Sequence, residues 1–321
     1  MKSLYKYDKN YFDKRSSETG YIRDSLEKVY RLADILEYMN ANPLLRDCLA
    51  LKGGTAINLA VFNMPRLSVD IDLDFTLPVA KEEMLKYRER INSDLLTFLR
   101  TQGYELNPDK GKNPHSLDSW VFWYFNSAGN KDNLKVEINY SLRAHILPIA
   151  EMQIKTDLLE RSFAIKALSP LELFATKINA LVGRTAARDL YDINNMLNYG
   201  IFDQTGINML KKCFLFYFAV GSGKEFEPII DISGIDSLTP SKIRQTLLPM
   251  LRRSDRFHLD QAKKHVREFL ESLSQLEASE NEFLQRFKGK EYVPELLFDD
   301  EDILSRVKDH PMALWKIRDR G

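Results

Sequence analysis

Three aspartates, Asp70, Asp72 and Asp74, recur at every second position near the end of the stretch from Arg66 to Phe75. From Ser68 to Phe75 polar and apolar residues alternate strictly, the period-two pattern of a strand with one face against a core. Ser68 and the three aspartates therefore share the other face, with neighbouring side chains about 6.5–7 Å apart along the strand. Like charges so placed repel, and the row alone leaves two readings open: a cation site, or a charged edge that blocks sheet-to-sheet pairing. Upstream, Gly53-Gly54-Thr55 precedes the helix-compatible run Ala56 to Phe62. That is a tight turn opening a helix, where backbone N–H groups and a positive helix end suit a phosphate.

A second group of chemistry-bearing residues lies in the segment Leu171 to Ile193. On one continuous helix Lys177, Leu181, Arg184 and Arg188 follow a 4-3-4 spacing along a single face, and three cations on such a face call for an anionic partner. The alternative is a salt-bridge corner near Gly183, with Arg188 paired to Asp189 or Asp192. Arg252, Arg253, Arg256, Lys263, Lys264 and Arg267 form a basic run with Phe257 and His258 among them. Such a run either follows a nucleic-acid backbone or is simply a solvated helix face.

These residues need a scaffold, and the pattern supplies one. Residues 1 to 20 are polar, and order is not expected there. Helical spacing of apolar residues marks Tyr21 to Met39 and Lys81 to Gln102. Ser119 to Ser127 and Leu134 to Tyr140 read as a hairpin turning at Asn130 to Asn133. On its second strand Lys135, Glu137 and Asn139 share a face. Tyr104 to Pro114 reads as a loop, and His145 to Ile149 and Ser162 to Ala167 as further strands. Ser169-Pro170 opens a helix, with proline in the first turn where its missing N–H costs nothing. Beyond it helices are expected at Asn208 to Val220, Pro240 to Leu251, Leu259 to Phe287 and Asp302 to Ile317, with a loop from Glu225 to Ser237. The fold class is α+β: a mixed sheet flanked by helices in residues 1–168, then a mainly helical part in residues 169–321.

The chain has 321 residues, 44% hydrophobic and 29% charged, with 46 basic and 46 acidic side chains. It is long enough for a large core, and its balanced charge means that any nucleic-acid contact must be local. Two distant cysteines in apolar settings, Cys48 and Cys213, suggest buried thiols in a reducing compartment. No apolar run is long enough to span a bilayer, and the expected location is the cytoplasm.

The glycine turn followed by Asp70-x-Asp72 resembles the signature of the nucleotidyltransferase superfamily, a Gly-Gly/Ser turn, a spacer and an Asp-x-Asp/Glu between hydrophobics. The spacer from Thr55 to Asp70 is slightly longer than the commonest form, a difference that one or two extra helical residues absorb. Val136-Glu137-Ile138 is similar to the third carboxylate that this superfamily carries on a later strand. Gly53-Gly-Thr-Ala, Arg66-x-Ser68-x-Asp70-Ile-Asp72-Leu, Lys177, Arg184 and Arg188-Asp189-Leu-Tyr-Asp192 together resemble the AbiEii-type nucleotidyltransferases, the toxins of type IV toxin–antitoxin and abortive-infection systems. The resemblance spans roughly residues 25 to 200.

It implies Mg²⁺, or Mn²⁺, on Asp70 and Asp72, with Glu137 as a further metal ligand or base. It implies an NTP on Gly53, Gly54, Thr55, Arg66 and Ser68, and a triphosphate balanced by Lys177 and Arg184. Asp189 is the late acidic residue, with Asp192 competing for the role, and Asp74 is read as a solvated strand end. The active site is expected in the cleft between the α/β and helical parts. The implied acceptor is RNA, a tRNA 3′ end in particular, with a cognate antitoxin from a neighbouring gene as partner. Two other classes stay open at this point, an NTP-dependent phosphotransferase acting on protein and a non-catalytic nucleotide- or metal-binding module.

Overall fold

A computed structural model describes residues 5–108, 116–222 and 226–318. The expected 104–114 loop lies outside the described residues from 109 onward, as does Glu225. By their internal packing the residues form two units. The first comprises Met1–Arg143, Ile149–Leu168 and Leu248–Asp255, and the second Ala144–Pro148, Ser169–Leu247 and Arg256–Gly321.

The first unit holds a mixed seven-stranded sheet. Its strands are β1 (Leu49–Lys52), β2 (Asp70–Phe75), β3 (Glu105–Leu106), β4 (Leu117–Phe125), β5 (Lys131–Asn139), β6 (Ala150–Thr156) and β7 (Arg161–Ala167), in spatial order β3-β4-β5-β2-β1-β7-β6. β2 lies at the centre, antiparallel to β1 and parallel to β5. Ile71, Leu73 and Phe75 are at most 1% exposed. Phe75 packs on Tyr87 of the Lys81–Thr101 helix with ring centroids 5.8 Å apart. The alternation thus buries one face of β2 and leaves the aspartates on the other. Leu26, Val29, Leu32 and Leu36 bury one stripe of the Arg23–Ala41 helix, which packs on β7.

Local chemistry explains the departures from the sequence expectation. Residues Lys9–Thr19 form a helix despite their polarity: Asp8 caps its start by accepting from the Tyr11 N–H, Gly20 ends it at φ 79°, and Phe12 anchors it in the core. The hairpin turns at Asn126 to Asn130 rather than at Asn130 to Asn133. Asn126 Oδ1 accepts from the Ala128 and Asn130 N–H groups, and Gly129 takes φ 82°. After Gly53–Ala56 the helix widens into a π winding over Ile57–Val61, a turn that takes up an additional residue within the long Thr55–Asp70 spacer. His145 to Ile149 is not a strand, because residues 144–148 are held by the second unit instead. Leu248–Asp255 returns to the first unit, where the Leu67 N–H donates to the Met250 carbonyl and the Arg253 N–H to the Gly20 carbonyl.

The second unit is helical. Pro170–Arg184, capped by Ser169, packs along Gln204–Val220 and meets Ala187–Asn198 through a short connection in which Thr185 adopts φ 50°. Glu172, fully buried, accepts from the Ile146 and Leu147 N–H groups and from the Tyr217 hydroxyl, and so fixes residues 144–148. The long expected helices are interrupted: Leu259–Leu273 and Ala278–Lys288 are separate, as are Glu301–Val307 and Pro311–Ile317. His310 before Pro311 caps the last of them through Nδ1. Among the described residues no helix is long and apolar enough to cross a membrane.

Candidate active site

β1 ends at Lys52 and the chain turns at Gly53 with φ 69°. A Cβ on Gly53 would lie 2.7 Å from Asp72 Oδ2, and one on Gly54 would lie 2.7 Å from Arg66 Nη2 and 3.2 Å from Ser68 Oγ. The glycines therefore serve the backbone conformation and also let the turn lie directly on the Asp72 carboxylate. Thr55, buried, bonds Ser68 Oγ at 2.9 Å and donates to the Asp70 carbonyl, tying the turn to the start of β2. Arg66, expected to reach toward phosphate, is only 1% exposed: it lies against Gly54 and donates to the Leu67 carbonyl.

The strand register assembles the rest. Asp72 stands opposite Lys52 on one side and Glu137 on the other, with Asp70 opposite Lys135 and Asp74 opposite Asn139. Residues so paired share a face, and Asp70, Asp72 and Glu137 thus meet across two strands distant in sequence. Burial pushes the Asp72 carboxyl above the usual carboxylate range, and the charges of Asp70 and Glu137 add to this while Lys52 and Lys135 oppose it. Burial also acts to raise the Glu137 carboxyl, but hydrogen bonds from Lys135 and Ser119 outweigh it and leave that group below its ordinary value.

Two expectations change. Asp74 is not a solvated strand end: it is fully buried, with Oδ1 2.5 Å from Lys52 Nζ and Oδ2 without a hydrogen-bond partner among the described residues. A charge out of water must be paired, and Lys52 at the end of the adjacent strand pairs it. The three-carboxylate metal set is likewise not assembled, since the Glu137 carboxylate lies 2.7 Å from Lys135 Nζ. Among the described residues no three His, Cys, Asp or Glu side chains are grouped to hold a metal ion. Asp70 and Asp72 remain as a pair of hard oxygen donors on a face where Asp72 is held against its own ionisation. Such a pair fits a cation of the Mg²⁺ type, which takes one or two carboxylates and completes its shell with water and substrate phosphate.

In the second unit the cationic ladder is folded back on itself. The helix ends at Arg184, so the spacing does not continue to Arg188. Lys177 Nζ is 2.9 Å from Asp189 Oδ1 and 3.3 Å from Asp192 Oδ2, and Arg184 Nε is 2.9 Å from Asp189 Oδ2. Lys177 and both aspartates are buried, whereas the Arg184 side chain is 66% exposed. Burial would raise the Asp189 carboxyl, but the Lys177 charge and the Arg184 hydrogen bond hold it below the usual range. The corner is thus a salt-bridge corner, with Lys177 and Arg184 as its cations. Asp189 bridges both cations, and Asp192 contacts Lys177 from the next turn.

The basic run is also divided. Arg252 and Arg253 lie in the segment that belongs to the first unit and are exposed. Lys263 and Arg267 of the second unit are spent on Asp236, one on its carbonyl and the other on its carboxylate.

A mixed sheet whose central Asp-x-Asp strand stands beside a glycine turn is the architecture of a nucleotidyltransferase. The family model described as Nucleotidyl transferase AbiEii toxin, Type IV TA system, matches residues 34–290. The chain belongs to that family and is a nucleotidyltransferase toxin. Among solved structures, MenT4, a nucleotidyltransferase toxin from Mycobacterium tuberculosis, shares the fold with a TM-score of 0.62 at 16% identity, over 96% of this chain and 98% of that one. No curated protein matches the sequence.

The sequence reading missed Lys52 and Lys135 as partners of the acidic face and Glu172 as an anchor. Lys52 and Lys135 had a signal: each is the polar residue at strand parity with an aspartate once β1 and β5 are placed beside β2. Glu172 had none, because its partners come from segments 25 and 45 residues away.

Proposed function

We propose that this toxin transfers a nucleotide from an NTP to an RNA acceptor in a divalent-metal-dependent reaction, with the 3′ end of tRNA as the acceptor. The observation that carries the reading is the packing of Gly53 on the Asp72 carboxylate, which couples a phosphate turn to an Asp-x-Asp pair. In this reading Asp70 and Asp72 hold Mg²⁺, which when bound neutralises charge at the triphosphate. The N–H groups of Gly54 and Thr55 bind phosphate oxygens, with Gly53 shaping the turn and the Ser68 hydroxyl fixing Thr55. Arg66 adds positive charge from beneath Gly54 without reaching the nucleotide. Arg184, whose side chain is exposed, is the cation assigned to the pyrophosphate, and buried Lys177 acts through Asp189, which it shares with Arg184. Glu137, opposite Asp72 on the strand paired with β2, is assigned a place beside the attacking hydroxyl.

Exposed Arg252 and Arg253, on a segment paired with Leu67 just ahead of β2, support contact with an acceptor phosphate backbone. Incubating the protein with labelled NTPs, Mg²⁺ and total cellular RNA tests the proposal. A labelled band of tRNA size is expected, lost in Asp70→Asn and on chelation. Labelled protein without labelled RNA would overturn the acceptor, and full labelling by Asp70→Asn would overturn the metal site.

A further inference from the structure

Lys52 precedes the glycine turn, and no role follows for it from the turn or from the Asp-x-Asp pair. Its side chain is 25% exposed, yet its ammonium reaches the buried Asp74 at 2.5 Å. In the strand register it stands directly opposite Asp72. Lys52 is thus the charged residue that β1 places on the acidic face, where Ala50 stands opposite Asp74, with Asp72 beside it, Asp74 bonded to it and Glu137 one strand further on. Charge makes this position consequential. Four carboxyl groups, those of Asp70, Asp72, Asp74 and Glu137, share one face, against which only Lys52 and Lys135 stand among the paired β1, β2 and β5 positions. Lys135 is already bonded to Glu137.

We propose that Lys52 is the resident counter-ion of the acidic face, a positioning residue that stabilises Asp72 and Asp74 before the metal arrives and competes with it electrostatically once there. The inference rests on the reading of Asp70 and Asp72 as metal ligands. Its geometric basis is independent of that reading: Asp74 is a buried carboxylate with one oxygen bonded to Lys52 and the other without a hydrogen-bond partner among the described residues. A cation at this point acts in two directions. Without metal it offsets carboxylate repulsion and keeps β1 and β2 in register at the turn. With metal its charge repels the divalent ion, so that affinity is held below what the carboxylates alone would give and product complexes are not trapped.

The test compares the full-length wild type with Lys52→Gln, which keeps a donor for Asp74 but removes the charge, and with Lys52→Arg, which keeps the charge. Thermal unfolding is followed in chelator and across a Mg²⁺ titration without nucleotide, alongside RNA labelling. Lys52→Gln is expected to unfold at a lower temperature in chelator and to be stabilised at a Mg²⁺ midpoint roughly tenfold lower than the wild type, because one like charge is removed from the acidic face. Lys52→Arg should restore the wild-type midpoint. A merely structural lysine would lower the unfolding temperature equally at all Mg²⁺ concentrations, and that result, or an unmoved or higher midpoint, overturns the proposal. If Lys52→Gln folds only with Mg²⁺ present, the proposal is supported. Asp70→Asn separates the two readings: labelling retained in it sinks the metal site itself, whereas labelling lost in it beside an unshifted Lys52→Gln midpoint sinks only the role of Lys52. Absence of Mg²⁺ stabilisation in every variant also overturns the counter-ion.

Discussion

Gly53 shows how narrowly one residue constrains the site. Its φ of 69° is open to glycine but strained for other residues, and a Cβ there meets Asp72 Oδ2 at 2.7 Å. Gly53→Ala is therefore expected to cost about 1–2 kcal/mol in stability from the left-handed backbone alone, and to reduce nucleotide transfer by more than that cost explains, because Asp72 is displaced. Unfolding temperature and initial labelling rate, measured together, check both parts. Asp189 provides a second test. Its folded-state pKa is depressed below the ordinary value of 3.8, so the stability it contributes is complete above that value and is lost as pH falls through the lower, folded-state pKa. Unfolding temperature followed from pH 7 down toward pH 2 should fall on this account at the acid end in the wild type. In Asp189→Asn the neutral-pH stability should already be lower and that part of the acid-side fall absent.

At the scale of elements, two joints matter. The Thr55 hydroxyl bonds Ser68 and the Asp70 carbonyl, linking the glycine turn to β2. Thr55→Val keeps the shape and removes both bonds, an expected loss of about 1–3 kcal/mol, read by denaturant unfolding. The other joint is the Lys177–Asp189–Asp192 group between two helices, whose members are all at most 6% exposed. Lys177→Ala leaves two buried carboxylates short of a cation and is expected to destabilise by about 3–5 kcal/mol, whereas Asp70→Asn on the half-buried face should change stability little. Comparing the two variants by thermal unfolding therefore tells a loss of transfer through chemistry from one through folding.

For the molecule as a whole, continuity of chain and of unit differ. Residues 144–148 belong to the helical unit, while Leu248–Asp255 belongs to the sheet-bearing one, where Met250 accepts from Leu67. A fragment ending at Leu168 would keep all seven strands but lose that segment, freeing Leu67 and Gly20 from their backbone partners. Such a fragment is expected to be less stable than the sheet-bearing unit in the whole chain, and circular dichroism with hydrogen exchange at Leu67 checks this. The AbiEii model spans residues from both units, in keeping with a family defined by the sheet and helices together.

The sequence by itself determined the features that depend on local pattern. Alternation from Ser68 to Phe75 located the strand, which runs Asp70–Phe75, and its faces, Gly53-Gly54 set the turn, and Ser169-Pro170 set the start of a helix, because each follows from backbone preference and periodicity within a few residues. Family membership and nucleotidyltransferase class were also legible, since the motifs recur in order along the chain. Tertiary structure alone decided the burial and the partners of the site residues. Asp74 could be read as solvated until β1 brought Lys52 to it, Glu137 as a carboxylate without a cationic partner until Lys135 was found beside it, and Arg188 as part of a ladder until the helix ended at Arg184. Glu172 shows the same limit, for its hydrogen-bond donors come from remote segments. Burial and ion pairing are set by what packs across a strand or a helix corner, and no spacing along the chain encodes that.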